Sequence, residues 1–365
     1  MNNDLLYQIA LTQVPHIGDV HAKILINAFQ HAQAVFEAPQ HHLERIEGIG
    51  TIRANSIKRF KDFDICEAEI KFIEKNKIAP LFVTSEKYPK RLLHCIDSPA
   101  LLYYKGNADL NANKIISIVG TRNHSEYGKI ICEQFIEDLK NHSVTIVSGL
   151  AFGIDSIAHK SALKNNLPTV AILAHGLDKM YPPQNKLLAN QMIEQGGLLT
   201  DFKSGSSPDK QNFPKRNRIT AGLCDALIVI ESSASGGSLI TAEHANGYNK
   251  DVFAVPGKIT DSKSEGCNML IKNNKAALIS NAKDLIQMMN WEDIHPTPKI
   301  QRQLFIELTP SEKKIIQLIE AAGQMHIDDL VFKSGFSNSV TAGALLSLEM
   351  NNIIRLYPGK IYKIL

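Results

Sequence analysis

A chain of 365 residues is long for one domain, and at about 100–200 residues per domain it implies two or three. Hydrophobic residues make up 44% and charged residues 21%, as in ordinary globular protein, and a net charge of +3 excludes polyanion binding by bulk charge alone. The five cysteines (Cys66, Cys95, Cys132, Cys224, Cys267) are odd in number and include no CxxC pair, which argues against a disulfide framework or zinc site and for a reducing cytoplasm.

The N-terminal stretch MNNDLLYQIALTQV has no basic region followed by an apolar run, so no signal peptide is expected. No apolar stretch approaches the ~20 residues that span a bilayer, so no membrane insertion is expected either. The first segment, residues 1–65, reads as short helices punctuated by glycine. Val14-Pro15-His16-Ile17-Gly18 is followed by apolar Val20, Ile24 and Leu25, and Ile46-Glu47-Gly48-Ile49-Gly50 by Ile52, Ala54 and Ile57. Each resembles a helix-hairpin-helix turn, in which glycine lets backbone N–H groups approach a phosphate, as in SAM-like helical domains. His16 stands where that motif usually has glycine. The segment is therefore either a DNA-contacting module or a small helical packing unit.

The pattern changes in residues 66–291. Lys114–Gly120 is a short apolar run ending in glycine, as a buried parallel strand does. A helical period follows through Tyr127, Ile130, Ile131, Phe135 and Leu139. Val144–Gly149 is a second strand, Ile154–Lys164 a second helix and Pro168–Gly176 a third strand. Alternation continues through Gln184–Gln195, Leu198–Phe202, Ala226–Ser232, Leu239–Tyr248 and Asp251–Val255. This predicts a Rossmann-like, doubly wound, mostly parallel α/β sheet with ligands at the carboxyl ends of its strands.

Residues 292–304 carry Pro296 and Pro298 with no hydrophobic period and read as a linker. In 305–365, helices are expected over Thr309–Ala321, His326–Ser334 and Val340–Met350, then a hairpin of Ile353–Tyr357 with Ile361–Ile364. That is a winged helix. Its recognition stretch, Asn338–Met350, has no Lys or Arg, and duplex binding depends on neutralising phosphates, so a protein-contact role is expected.

Three loops after strands are built from small residues: Gly120-Thr121-Arg122, Gly149–Gly153 and Gly236-Gly237-Ser238. Such loops let amides and a helix N-terminus converge on an anion, and Arg122 at the mouth adds a bidentate donor. Between Lys203 and Arg218, five cations (Lys203, Lys210, Lys215, Arg216, Arg218) face one acid, Asp209. Phe213 and Asn217 sit among them, and Pro214 predicts extended geometry at Phe213. Cations tracking a backbone beside a stacking aromatic suit a single strand. Catalysis has less support. No metal-ligand spacing, nucleophile elbow, P-loop or G-x-G-x-x-G occurs, and His159 and His175 read as structural histidines, so neither a catalytic set nor a metal or cofactor is expected.

Taken together the strings Ile118–Arg122, Val147–Asp155, Gly176-Leu177-Asp178, Asn212–Arg218, Ser235–Ala242, Val252–Gly257 and Gly266–Ile271 resemble the DprA/Smf family of DNA-processing proteins. They run in family order over most of the middle segment. Thr200-Asp201 stands where the family usually has Ser-Glu, and Lys275-Ala276 lacks a common glycine. The resemblance implies a non-enzymatic, cytoplasmic protein that captures single-stranded DNA and loads the RecA recombinase onto it in natural transformation and recombination. It also implies homodimerisation and dealings with single-strand-binding protein. By the same resemblance Arg122, Lys210 and Phe213 map to the single-strand pocket, shaped by the Gly120, Gly149 and Gly236-Gly237 loops. A competing reading is a nucleotide-hydrolysing enzyme related to phosphoribohydrolases. Ser235–Glu243 loosely resembles their G-G-x-G-T-x-x-E loop, although Leu239 replaces the glycine that follows the x position.

Overall fold

The two repeated turns near the N-terminus are helical hairpins. In the computed structural model, which describes residues 3–291, 308–351, 353–357 and 359–364, α1 (Asn3–Gln13) and α2 (Asp19–Phe29) flank the first. After α3 (Ala32–Glu37), α4 (Gln40–Glu44) and α5 (Gly50–Arg59) flank the second. His16 (φ 66°) and Gly48 (φ 85°) take left-handed backbone at equivalent positions, so the histidine adopts the conformation that glycine adopts freely. Arg53 stitches the turns together, its Nε–H donating to the His16 carbonyl at 3.3 Å and its Nη1–H to the Gly48 carbonyl at 3.1 Å.

Helix α6 (Phe63–Lys75) follows, so the domain edge expected at residue 65 falls inside a helix. All six helices share one apolar cluster with β1 (Ala79–Phe82) and β2 (Leu101–Gly106) through Phe82, Leu101 and Tyr103. These two strands were not expected from the sequence. Four successive residues of β2 are buried, which leaves no alternation to read. A short helix, α7 (Lys90–Leu93), lies between them.

The remaining strands of the main sheet are β3 (Ile115–Val119), β4 (Thr145–Ser148), β5 (Thr169–Ile172), β6 (Gly196–Thr200), β7 (Ala226–Val229), β8 (Asp251–Ala254) and β9 (Ala277–Leu278). Their order is β1-β2-β6-β5-β4-β3-β7-β8-β9, with every neighbouring pair parallel except β1–β2 and β2–β6 at one edge. The intervening helices are α8 (Glu126–Asp138), α9 (Ile154–Lys164), α10 (Lys186–Gln195), α11 (Asn212–Gly222), α12 (Gly237–Gly247), α13 (Glu265–Lys272) and α14 (Ala282–Met288). Strand residues alternate between two cores. Ile116 and Ile118 of β3 pack with α8, α9 and α14, whereas Ile115 and Val119 join the cluster that includes Ile219 of α11 and Ala242 of α12. With both faces covered, the strands are the continuous apolar runs seen in the sequence. Because β4 and β7 flank β3 on opposite sides, the chain reverses direction there, and the loops above β3 and β7 part to form a crevice.

The chain divides into two compact units, Met1–Glu292 and Asp293–Leu365. The expected linker, 292–304, lies outside the described residues. In the second unit α15 (Pro310–Ala322) starts at a capping box in which Thr309 and Glu312 satisfy each other's backbone N–H. β10 (Met325–His326), α16 (Ile327–Ser334), α17 (Asn338–Met350), β11 (Ile354–Tyr357) and β12 (Ile361–Ile364) complete it, around Ile315, Ile319, Leu330, Leu345 and Leu348. The expected three helices and hairpin are present. The two-residue β10, too short to read from sequence, adds a third strand beside β12. Among the described residues no helix is long and apolar enough to cross a membrane, and all five cysteines are buried and unpaired.

Candidate functional site

Above the crevice, the loops after β3, β4 and β7 and the starts of α11 and α12 surround a cavity of about 430 Å³. Gly120, Thr121, Arg122 and Gly149 line one side. Phe213, Arg216 and Asn217 of α11 and Gly236, Gly237 and Ser238 around the start of α12 line the other. The glycines serve different ends. A Cβ on Gly120 would lie 2.6 Å from Ile154, so this glycine lets α9 pack beneath the β3 loop. Gly153 (φ 78°) lies outside the lining, where a Cβ would meet the Thr121 carbonyl at 2.2 Å. Gly237 has nothing within 4 Å of its Cβ position and leaves the start of α12 open.

The exposed rim is aromatic. The Arg122 guanidinium lies 5.1 Å above the centre of the Phe213 ring, and that ring is 5.8 Å from Tyr181. Phe152 and Tyr181, 44% and 42% exposed, border an adjoining hollow that also reaches Arg122 and Phe213. Sequence reasoning did not single out these two aromatics as site residues; their only signal was an aromatic in a loop after a strand. Tyr181 is held by the buried His175, whose Nδ1–H donates to the Gly176 carbonyl at 2.9 Å and whose Nε2 accepts the Tyr181 N–H at 3.2 Å. The extended geometry expected at Phe213 is overturned. Residues 212–222 are helical, and Pro214 sits in the first turn, where its missing N–H would have no intrahelical partner anyway.

Helix formation sorts the basic stretch. Positions 213, 216, 217 and 220 share the face toward the cavity, by the i, i+3, i+4, i+7 spacing of a helix. Arg216, expected to track DNA at the surface, is instead only 5% exposed and forms the cavity floor. Its Nη1–H donates to the Ile172 carbonyl at 2.6 Å, while its Nε has no partner. Gly149 makes room for it, since a Cβ there would sit 1.9 Å from Nη1. Burial works against the Arg216 charge and pulls its pKa down, with Asp155 opposing and Arg122 adding to that pull. Asp155, also on the floor, is pushed up by burial against the influence of Arg216.

Lys215 and Arg218 face the other way. They line a separate cavity of about 580 Å³ between the N-terminal helices and the sheet. There Arg218 pairs with Asp201 at 2.8 Å and Asp19 at 3.0 Å, tying α2 to the end of β6. Lys210 lies on the loop before α11, outside the lining of the strand-end cavity.

His159 is structural. Fully buried, its Nδ1–H donates to Thr169 Oγ1 at 2.7 Å, and its Nε2 has no partner. Burial, with Arg216 nearby, pushes its pKa from 6.5 down to about 3. Below pH 6.5 the unfolded chain therefore takes up a proton that the folded chain refuses, and this histidine's share of stability falls as pH drops toward 3. The expected slope is about 1.4 kcal/mol per pH unit. Urea unfolding from pH 4 to pH 7 checks it: His159→Gln should flatten the slope, and an unaltered slope would place the proton uptake elsewhere.

Residues 79–290 match the DNA recombination-mediator protein A family, and residues 9–65 match a helix-hairpin-helix motif. Protein Smf of Synechocystis is 35% identical over 99% of both chains. Among solved structures, DNA processing protein A of Streptococcus pneumoniae superposes with a TM-score of 0.68 at 32% identity, covering 79% of this chain and 98% of that one. DNA processing protein A of Helicobacter pylori, whose single-stranded DNA binding mode has been described structurally, gives a TM-score of 0.54 at 28% identity, covering 59% and 96%.

Proposed function

Because the chain belongs to the DNA recombination-mediator protein A (DprA/Smf) family, we propose that it binds single-stranded DNA across the strand-end cavity and delivers it to a RecA recombinase. The observation that carries this reading is the rim of Arg122, Phe213 and Tyr181 beside a glycine-lined cavity at the sheet's switch point. Rings at the rim, Tyr181 exposed and Phe213 half-buried, can stack against any base, a guanidinium offers charge to the backbone, and neither reads sequence. The likeness to the Helicobacter pylori protein supports the same assignment.

A loader must hold a strand without covering all of it. Pairing two copies would help, because a strand held in one pocket reaches the second at high effective concentration, and twofold symmetry is the commonest arrangement. The proposed setting is natural transformation and recombination, with strands coated by single-strand-binding protein as the substrate. The hydrolase reading loses its key residue. Glu243 is exposed, pairs with Lys275 at 3.3 Å and does not line the cavity.

The test is RecA filament formation on strands coated with single-strand-binding protein, using wild type beside Arg122→Ala. Wild type should speed filament growth and the variant should not. No stimulation by wild type, or equal stimulation by both, would end the loader mechanism.

A further inference from the structure

We propose that the floor of the strand-end cavity seats a phosphate monoester, the end group of a terminally phosphorylated strand or of a nucleoside monophosphate. The strand-end form of this inference rests on the single-strand reading above; the nucleotide form does not.

Three features meet at the floor. The first is Arg216, a guanidinium 5% exposed that makes no ion pair among the described residues and whose Nε lacks an acceptor. Buried charges are ordinarily paired directly, whereas here the Asp155 carboxyl acts on Arg216 without forming an ion pair with it. The second is Thr220, 2% exposed and one helical turn beyond Arg216, whose Oγ1 also has no partner although the residue lines the cavity. The third is the N-terminus of the eleven-residue helix α12, which no side chain caps. Its first amides, of Gly237 and Ser238, belong to the set that a helix leaves without internal acceptors, and they carry the positive end of its dipole. Gly237 presents no side chain to obstruct an anion. Together these are a cation without a direct ion pair, an orphan hydroxyl and uncapped amides around one space, a set of donors that the single Asp155 carboxyl offsets only in part.

The end group fits better than an internal phosphodiester on two grounds. A monoester carries nearly two negative charges at neutral pH and three terminal oxygens, so it can engage Arg216, Thr220 and the α12 amides at once. Asp155 on the same floor repels either anion in proportion to its charge, so the advantage of the monoester rests on the number of donors it can meet. Depth gives the second ground. Arg122 and Phe213 form the rim, whereas the Arg216 Nε and Thr220 Oγ1 lie shielded beneath it. A passing chain would have to descend and return, whereas a chain end needs only to descend, leaving its bases on the Phe213–Tyr181 rim.

The experiment compares one oligonucleotide bearing hydroxyl ends, a 5′-phosphate or a 3′-phosphate, each by fluorescence anisotropy, with deoxyadenosine monophosphate and deoxyadenosine as competitors. One phosphorylated end should bind about tenfold tighter than the hydroxyl form, as for new charge-assisted hydrogen bonds. Thr220→Val, nearly the same shape, and Gly237→Ala, which adds a methyl to open space, should each shrink that ratio toward one. If only the monophosphate competes and end phosphorylation changes nothing, the seat stands with the free nucleotide as its source. If the monophosphate binds but no strand does, the seat stands and the single-strand reading fails. Equal binding of all strand ends with no competition by the monophosphate overturns the seat while leaving strand binding intact. A phosphate preference undiminished in both variants overturns its placement on this floor.

Discussion

Replacing Arg122 and Phe213 together by alanine should weaken single-strand binding by roughly 10²- to 10⁴-fold. One base stacked on an aromatic is worth about 1–3 kcal/mol, and a hydrogen bond to a charged group about 1.5–3 kcal/mol, with tenfold in affinity per ~1.4 kcal/mol. The two losses should not add in full. Arg122 lies over the Phe213 ring at 5.1 Å, so each single substitution already disturbs the other residue. A coupling of about 0.5–1 kcal/mol is expected, the size of an exposed cation–π contact. Arg122→Ala alone should also reduce the slope of log affinity against log salt by about 1. Both side chains sit on the rim rather than in either core, so the melting temperature should barely move. Fluorescence anisotropy over a salt series reads all of this. A folded double variant that binds like wild type would move the site elsewhere.

How much of this was legible follows from particular residues. The central strands were readable because strands buried on both faces must be continuously apolar, as Ile115–Val119 and Ala226–Val229 are. Ile154–Lys164 was readable from its period and its glycine start. The loops at the strand ends, and with them Arg122 and the glycines, followed from the alternation alone. The basic stretch was the failure. Read as extended at Phe213 because of Pro214, it offered five equivalent cations, whereas the helix splits three of them by face: Arg216 goes beneath the cavity and Lys215 and Arg218 to the opposite side. Nothing local announces a helix beginning at Asn212. Its apolar partners, Leu92 and Cys95 against Gly222, lie far away in sequence. The same is true of Tyr181, brought to Phe213 by a loop held on His175. Long-range placement, not residue type, was the missing information.

Arg218 separates the two accounts of that stretch. As a surface cation it would contribute to DNA affinity; as the structure places it, it should matter to stability. Its side chain is 14% exposed and pairs with Asp201, 12% exposed, and with Asp19, which also accepts the Ala100 N–H at 2.9 Å. Removing one partner of such a group leaves uncompensated charge, at a cost of about 3–5 kcal/mol for full burial. The partial exposure of Asp19 argues for the lower end of that range. Arg218→Ala should therefore lower stability by about 3 kcal/mol in urea unfolding. The deficit has a definite pH sign. Burial holds the Asp201 carboxyl above the ordinary carboxylate range even with Arg218 present, Asp19 adding to the rise. Without the guanidinium that pKa climbs further. A group whose folded pKa is raised contributes its stability below its unfolded pKa and loses it as pH rises through the folded one. The variant's deficit should thus be smallest near pH 4 and widen toward neutrality, and Asp201→Asn in the same background should recover part of it. Single-strand affinity per folded molecule should stay near wild type, because this side of α11 faces away from the cavity. An Arg218→Ala protein that unfolds like wild type but binds DNA several-fold more weakly would reverse the assignment and return Arg218 to the interface.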